Sequence, residues 1–186
     1  MPVAAVLIFA FGDSGDIWEH LVKTSLSGYI TTTLWLMLGV GVSVFVTGVS
    51  TAWVVTMCRF PGRKVFEWLL LLPLAMPAYV IAYAYTDFLE FAGPVQGLLR
   101  TIFGWQTARD YFFPEIRSLG GATIMMGLVL YPYVYLLARS AFLEQSVNVL
   151  EVSRTLGRGP WRTFSSVSLP AARPAIAIGV SLALME

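Results

Sequence analysis

The chain has 186 residues, 57% of them hydrophobic and only 12% charged, with a formal net charge of +1 and a mean hydropathy of +0.73; that apolar share belongs in a bilayer rather than in a soluble domain. The near-neutral balance, without clustered Lys and Arg, excludes nucleic-acid binding driven by counterion release. One cysteine, Cys58, excludes a disulfide within the chain, and with one histidine, His20, there are too few soft or imidazole ligands for a metal cage or a resident cofactor.

The first apolar run, Pro2 to Phe11, is half of the roughly 20 residues that a helix needs to cross about 30 Å of hydrocarbon, and no basic flank of a signal peptide precedes it. It reads as the outer end of a partial first span, 1–11, with an interfacial or signal-like segment as the alternative. Full spans are expected at about 29–57, 66–88 and 119–138, and the apolar stretch 174–186 reads as the start of another. On this reading the chain is truncated, and 12–186 is an incomplete helical-bundle domain.

Charge sets the orientation. The loop Arg59-Phe-Pro-Gly-Arg63-Lys64 is purely basic, and the stretch from Arg139 to Arg173 carries five arginines against two glutamates. Segments 12–28 and 87–118 together hold four basic and seven acidic residues. The positive-inside rule puts the first two in the cytoplasm and the last two outside.

Within the first full span, Gly39 with Ser43 and Thr47 with Thr51 place small side chains one turn apart, a pattern for close helix packing. In the second, Pro73 and Pro77 each remove a backbone donor and break the helix; Pro132 does the same in the third. Tyr79 with Tyr83 and Tyr131 with Tyr135 stand at i, i+4 spacing near these breaks, so each pair shares a face. Two readings stay open: a polar lining for a translocation path, or hydrogen bonds that hold the bundle together. In the outer segment Gly93-Pro94 offers a cap and a first helical residue, and Val95, Leu98, Leu99, Ile102 and Phe103 recur amphipathically before Gly104. A short interfacial helix is expected, structural in role or a partner contact.

The cytoplasmic segment 143–170 is the most informative. Asn148 and Glu151 have capping-box spacing, and a helix is expected to run from Glu151 until Gly157, a natural residue past a helix C-terminus. Gly159-Pro160 restarts the chain, Trp161, Phe164 and Val167 follow at helical spacing, and Leu169-Pro170 ends the element. Arg154, Arg158 and Arg162 beside Trp161 make a basic and aromatic face suited to docking on a protein, with a lipid headgroup as the alternative.

Glu151-Val-Ser, three residues, Gly157, nine residues, Val167, one residue, Leu169-Pro170 resembles the EAA loop of the permeases of binding-protein-dependent ABC importers, with Val152, Ser153 and Val167 in place of two alanines and an isoleucine. Segments 89–96, 109–121 and 131–139 resemble the iron(III) branch of these permeases. The resemblance implies an all-α, polytopic bundle of the type I ABC importer kind in a bacterial inner membrane, and a longer chain with two permease copies, of which this sequence is part of the first.

It further implies an ATPase-coupling loop in which Glu151, Arg154, Gly157, Arg158, Trp161, Leu169 and Pro170 meet a cytoplasmic ABC ATPase dimer. The other implied partners are an external substrate-binding protein, a second permease half or subunit, and membrane lipid. Glu151 also caps its own helix, and the two roles are compatible. No phosphate-binding Gly-x-x-x-x-Gly-Lys-Ser/Thr loop occurs, so the chain is expected not to be an enzyme and ATP to be used by the partner subunit. The competing readings are a secondary transporter driven by an ion gradient and a non-transport membrane enzyme or scaffold. Both would want ionisable or convergent polar groups in the spans, where this sequence places none.

Overall fold

The computed structural model describes residues 23–107, 110–145, 157 and 159–186. The expected partial span 1–11 and the helix holding Glu151 and Arg154 lie outside the described residues, as does Arg158. The chain divides into two compact units, 1–36 and 37–186, and all of the packing discussed below lies within the second.

Seven α-helices are described, here α1 (Leu26–Met57), α2 (Arg63–Leu69), α3 (Ala78–Leu89), α4 (Pro94–Phe103), α5 (Leu119–Glu144), α6 (Pro160–Thr163) and α7 (Leu169–Met185). α1, α5 and the continuous stretch Trp161–Met185 are each long and apolar enough to cross a membrane. α1 holds no charged residue, and its hydroxyls are kept out of the lipid by folding back on its own backbone. Thr47 donates to the Ser43 carbonyl, Thr51 to the Thr47 carbonyl and Thr56 to the Ala52 carbonyl. A polar side chain in hydrocarbon must find such a partner.

α5 is the central pillar. α1 runs parallel to it: a Cβ added at Gly39 would lie 2.8 Å from the Thr123 side chain, and one at Gly48 would lie 2.7 Å from Val134 Cβ and 3.0 Å from the Tyr131 carbonyl. Gly127 of α5 packs in turn on Ser43. α7 runs antiparallel to α5, and a Cβ at Gly179 would meet Val134 Cα at 2.9 Å. Val134, wholly buried, is thus held between two glycines from two other helices. Small residues at such crossings are what bring membrane helices together, because lipid is as apolar as the side chains and offers no hydrophobic drive. The close-packing expectation for α1 was right in kind, but Gly48 carries it as much as the 39–43 and 47–51 pairs.

The span expected at 66–88 is not one helix. α2 ends at Leu69, a 3-10 turn follows over Leu72–Ala75, and α3 begins only after Pro77. The arms 63–75 and 79–103 meet at 100°. Pro73 and Pro77 cannot donate to the ladder, and Met76 between them is extended. The break frees carbonyls at membrane depth, and α5 supplies donors: Tyr131 Oη to the Leu70 carbonyl at 2.9 Å and Tyr135 Oη to the Glu67 carbonyl at 3.3 Å. Nearby, the Glu67 carboxylate takes Arg63 at 3.3 Å and Arg139 of α5 at 3.2 Å. α2 is therefore tied to α5 by two phenols and one bridging acid.

The outer helix α4 forms with the expected ends, Pro94 after the cap Gly93 and Gly104 at φ +70 after Phe103. Gln96 is buried; its amide donates to the Leu89 carbonyl and accepts from Tyr111 Oη. Stacked Phe103, Trp105 and Tyr111 and the Arg117–Glu90 pair at 3.1 Å complete this outer layer. Asp110 accepts from the Thr107 and Gln106 backbone amides, which lowers its pKa. That turn is fully capped above the ordinary carboxylate range near 4 and loosens as pH falls through the lowered value.

Gly48→Val should destabilise the purified protein by about 1–3 kcal/mol through overpacking against Val134. Gly28→Ala, with nothing within 4 Å of the added carbon, should not. Thermal unfolding followed by size-exclusion in detergent reads the difference, and equal melting of the two variants would remove Gly48 from the packing argument.

Candidate functional site

Of the expected coupling residues, Gly157, Trp161, Leu169 and Pro170 are described. Gly157 has φ +75, the left-handed region in which a β-carbon is strained, and among the described residues nothing lies within 4 Å of the place a Cβ would take. The backbone conformation is what calls for glycine there. Three residues on, Pro160 opens α6, and Trp161 is 77% exposed. The indole stands beside the exposed Arg162.

Behind that surface stands an aromatic cluster that spacing could not show. Phe164 packs on Trp53 of α1 with centroids 4.6 Å apart and on Trp161 at 6.4 Å, while Phe142 of α5 meets Trp53 edge-on at 5.6 Å. The turn at Trp161–Phe164 is thus seated on the C-terminal ends of α1 and α5.

Leu169-Pro170 does not end the element, contrary to expectation. Phe164–Ser168 is a π-helical turn that runs straight into α7, with the Leu169 amide reaching back five residues to the Phe164 carbonyl. Pro170 then falls in the first turn of α7, where a missing donor costs little. Ser165 and Ser166 donate to the Arg162 carbonyl, and Gln145, the cap residue just past α5, donates to the Ser168 carbonyl at 2.9 Å. Gln145 Oε1 and Ser168 Oγ are buried without a partner among the described residues. The candidate span expected to start at 174 accordingly begins at Trp161, and the second half of the expected coupling loop forms its N-terminal end.

The four tyrosines separate. Tyr131 and Tyr135 spend their hydroxyls on α2 carbonyls, and Tyr135 is fully buried: this is the packing role. Tyr79 and Tyr83 on α3 are 76% and 78% exposed. They line an open hollow of about 480 Å³ with Ala82, Thr86, Asp87, Glu90 and Arg117. Among the described residues no group of three or more His, Cys, Asp or Glu converges.

Glu67, Gln145, Trp53 and Phe142 were not singled out by the sequence reading. Arg63 and Glu67 sit at i, i+4 and were legible as a pair, but Arg139 joins them from 72 positions away.

Residues 45–186 match the family described as "Binding-protein-dependent transport system inner membrane component". The chain belongs to this family. Similar curated permeases include the molybdenum transport system permease protein ModB of Escherichia coli, 29% identical over 136 residues, covering 73% of this chain and 56% of ModB. The probable sulfate transport system permease protein cysT of Chlorokybus atmophyticus is 28% identical over 98% of this chain and 61% of its own length. The putative 2-aminoethylphosphonate permease PhnU of Salmonella choleraesuis is 25% identical over 94% and 62%. The chain therefore spans less than two thirds of each of these permeases. The iron(III) branch expected from segments 89–96, 109–121 and 131–139 finds no support in them, since their names concern molybdenum, sulfate and a phosphonate. The all-α, multi-pass inner-membrane character agrees with the family.

Tyr131→Phe should lower stability by about 0.6–1.7 kcal/mol, the range for a side-chain hydrogen bond between membrane helices, whereas Tyr79→Phe should leave stability unchanged. Thermal melts of the two variants decide this; a loss at Tyr79 equal to that at Tyr131 would return α3's tyrosines to packing.

Proposed function

We propose that this chain forms part of the transmembrane pathway of an ATP-driven importer, and that segment 143–170 couples it to a cytoplasmic ATPase. The observation that carries this reading is the family match over 45–186, supported by a left-handed Gly157 and an exposed Trp161 at the matching loop positions. In this reading Glu151, Arg154, Gly157, Arg158 and Trp161 present the docking surface. Leu169 and Pro170 join it to the span, and closure of the ATPase dimer is delivered to α1 and α5 through Phe164. An external binding protein delivers substrate, a second permease half completes the path, and ATP is hydrolysed by the partner.

We infer a tetrahedral oxyanion or phosphonate as cargo. Sulfate and 2-aminoethylphosphonate, which the relatives' names print, both centre on a tetrahedral anionic group, and molybdenum in neutral water exists as molybdate. The exposed hydroxyls of Tyr79 and Tyr83 are donors suited to such oxygens. Tyr131 and Tyr135 support the path by holding the broken helix open beside it.

Uptake by the full-length protein with its ATPase and binding protein tests the reading. Molybdate, sulfate and phosphonates are offered against ferric complexes, with and without ATP. ATP-dependent oxyanion uptake is expected; ferric uptake would restore the iron branch, and uptake driven by an ion gradient without ATP would replace the importer reading by a secondary transporter.

In the same system Gly157→Val should abolish coupled uptake by at least about ten-fold, because the left-handed position resists a β-branched residue, while the protein still accumulates. Wild-type uptake in that variant would sink the coupling role. A cysteine placed by Trp161→Cys should react with an impermeant maleimide only in inside-out vesicles, and labelling from the outer face would reverse the topology.

A further inference from the structure

At its cytoplasmic end the second unit carries an apolar groove of about 340 Å³ between α1 and α2, walled by Val54, Val55, Phe60, Phe66 and Leu70. Ser50 and Thr51 also line it, but their hydroxyls are committed to the Val46 and Thr47 carbonyls, so the wall is effectively hydrocarbon. Phe60 and Phe66 meet edge-on at 5.8 Å at the end nearest the loop. The groove begins at Ser50, seven residues before the end of α1, or roughly 10 Å along the helix. That places it in the inner leaflet just below the headgroups, at the depth where the exposed Trp68 of α2 belongs.

The loop over this end is the purely basic one. It turns at Gly62, φ +84, between Arg59 and Lys64. Both are exposed, and among the described residues neither makes an ion pair or a hydrogen bond. Arg63, between them, is held by Glu67, and Glu67 is shared with Arg139, so the one nearby acid is already spent. An open hydrocarbon slot thus stands beneath two unneutralised cations.

We propose that this groove and loop form a binding site for an anionic phospholipid of the inner leaflet, one acyl chain lying along Val54, Phe66 and Leu70 and the headgroup phosphate meeting Arg59 and Lys64. A protein segment would have to bring an apolar stretch and two acids in the right order; an anionic lipid brings both in one molecule, already at this depth. The volume suits a ligand slot. A zwitterionic lipid would fill the groove without the charge complement, which is the contrast that tests the site.

The full-length protein is reconstituted in phosphatidylcholine vesicles containing a trace of phosphatidylglycerol or of phosphatidylcholine that carries a photoreactive diazirine in one acyl chain. After irradiation, labelled peptides are mapped by mass spectrometry. The phosphatidylglycerol probe should label residues 50–70 at least about five-fold more than the phosphatidylcholine probe, and Arg59→Gln and Lys64→Gln should each cut that preference by about five-fold. Val54→Trp, which fills the groove but leaves the charges, should reduce labelling by both probes. Equal labelling by the two probes in the native protein would overturn the proposal in favour of ordinary annular lipid. So would a headgroup preference that survives when Arg59→Gln and Lys64→Gln are combined, and absence of labelling at 50–70 would overturn it by assigning the groove to a protein neighbour. Arg59 and Lys64 are exposed and unbonded, so their variants keep the fold and leave the test standing even if Val54→Trp does not accumulate.

Discussion

Val134 packed between Gly48 and Gly179 is the contact on which the rest of this unit depends. In lipid, helices gain nothing from hiding apolar surface from each other, so association rests on dispersion at short range and on the few polar bonds the bilayer cannot satisfy. Two glycines on different helices let α1 and α7 approach the α5 backbone itself. Because both approaches converge on one residue, the position of α5 fixes the position of both neighbours. The more distant α5 contacts then follow in register: Thr123 with Gly39 and Gly127 with Ser43 toward the outer side, Phe142 with Trp53 and Gln145 with Ser168 toward the cytoplasm.

The broken helix is the second consequence. Two prolines in α2–α3 leave carbonyls that hydrocarbon does not tolerate, and the phenols that answer them come from α5, the helix already held in place. This is why tyrosines with the same spacing behave differently on α5 and α3. On α5 they face the break and are consumed by it; on α3, past the 100° turn, they face open space. A break stabilised only from one side leaves its other side available, and the exposed α3 face beside Asp87, Glu90 and Arg117 is that other side.

What the amino-acid order made legible follows from how local each cause is. Long uncharged runs predicted α1 and α5 because length and composition alone decide whether a helix fits a bilayer. Gly93-Pro94 and Gly104 delimited α4 because capping is chemistry between near neighbours. Pro73 and Pro77 announced a break, yet not that it would divide the span into arms at 100°, since that angle depends on donors 61 and 68 residues away. Pro170 misled for the opposite reason. A proline after a polar helix is ordinarily a terminator, and only the wide π turn before it, held by Ser165, Ser166 and Gln145, turns it into the first turn of a continuing helix. Of the candidate coupling site, Gly157 and Trp161 were readable from spacing; the aromatic seat beneath them was not, because Trp53 and Phe142 reach it from other helices.

That continuity bears on the coupling proposed for this segment. Had Leu169-Pro170 ended a separate helix, motion at Trp161 would be absorbed by a loop before reaching the membrane. With Trp161–Met185 as one helix, a displacement at its cytoplasmic end would be carried to Gly179, which lies against Val134. The π turn is the weakest ladder along this lever, with one long-range side chain, Gln145, tying its last carbonyl to α5. The end of α5 thus meets this stretch at two places, the Gln145 amide on the Ser168 carbonyl and Val134 on the bare backbone of Gly179. In the proposed coupling, a push on the turn at Trp161 would therefore meet α5 at Gly179 as well as at the loop.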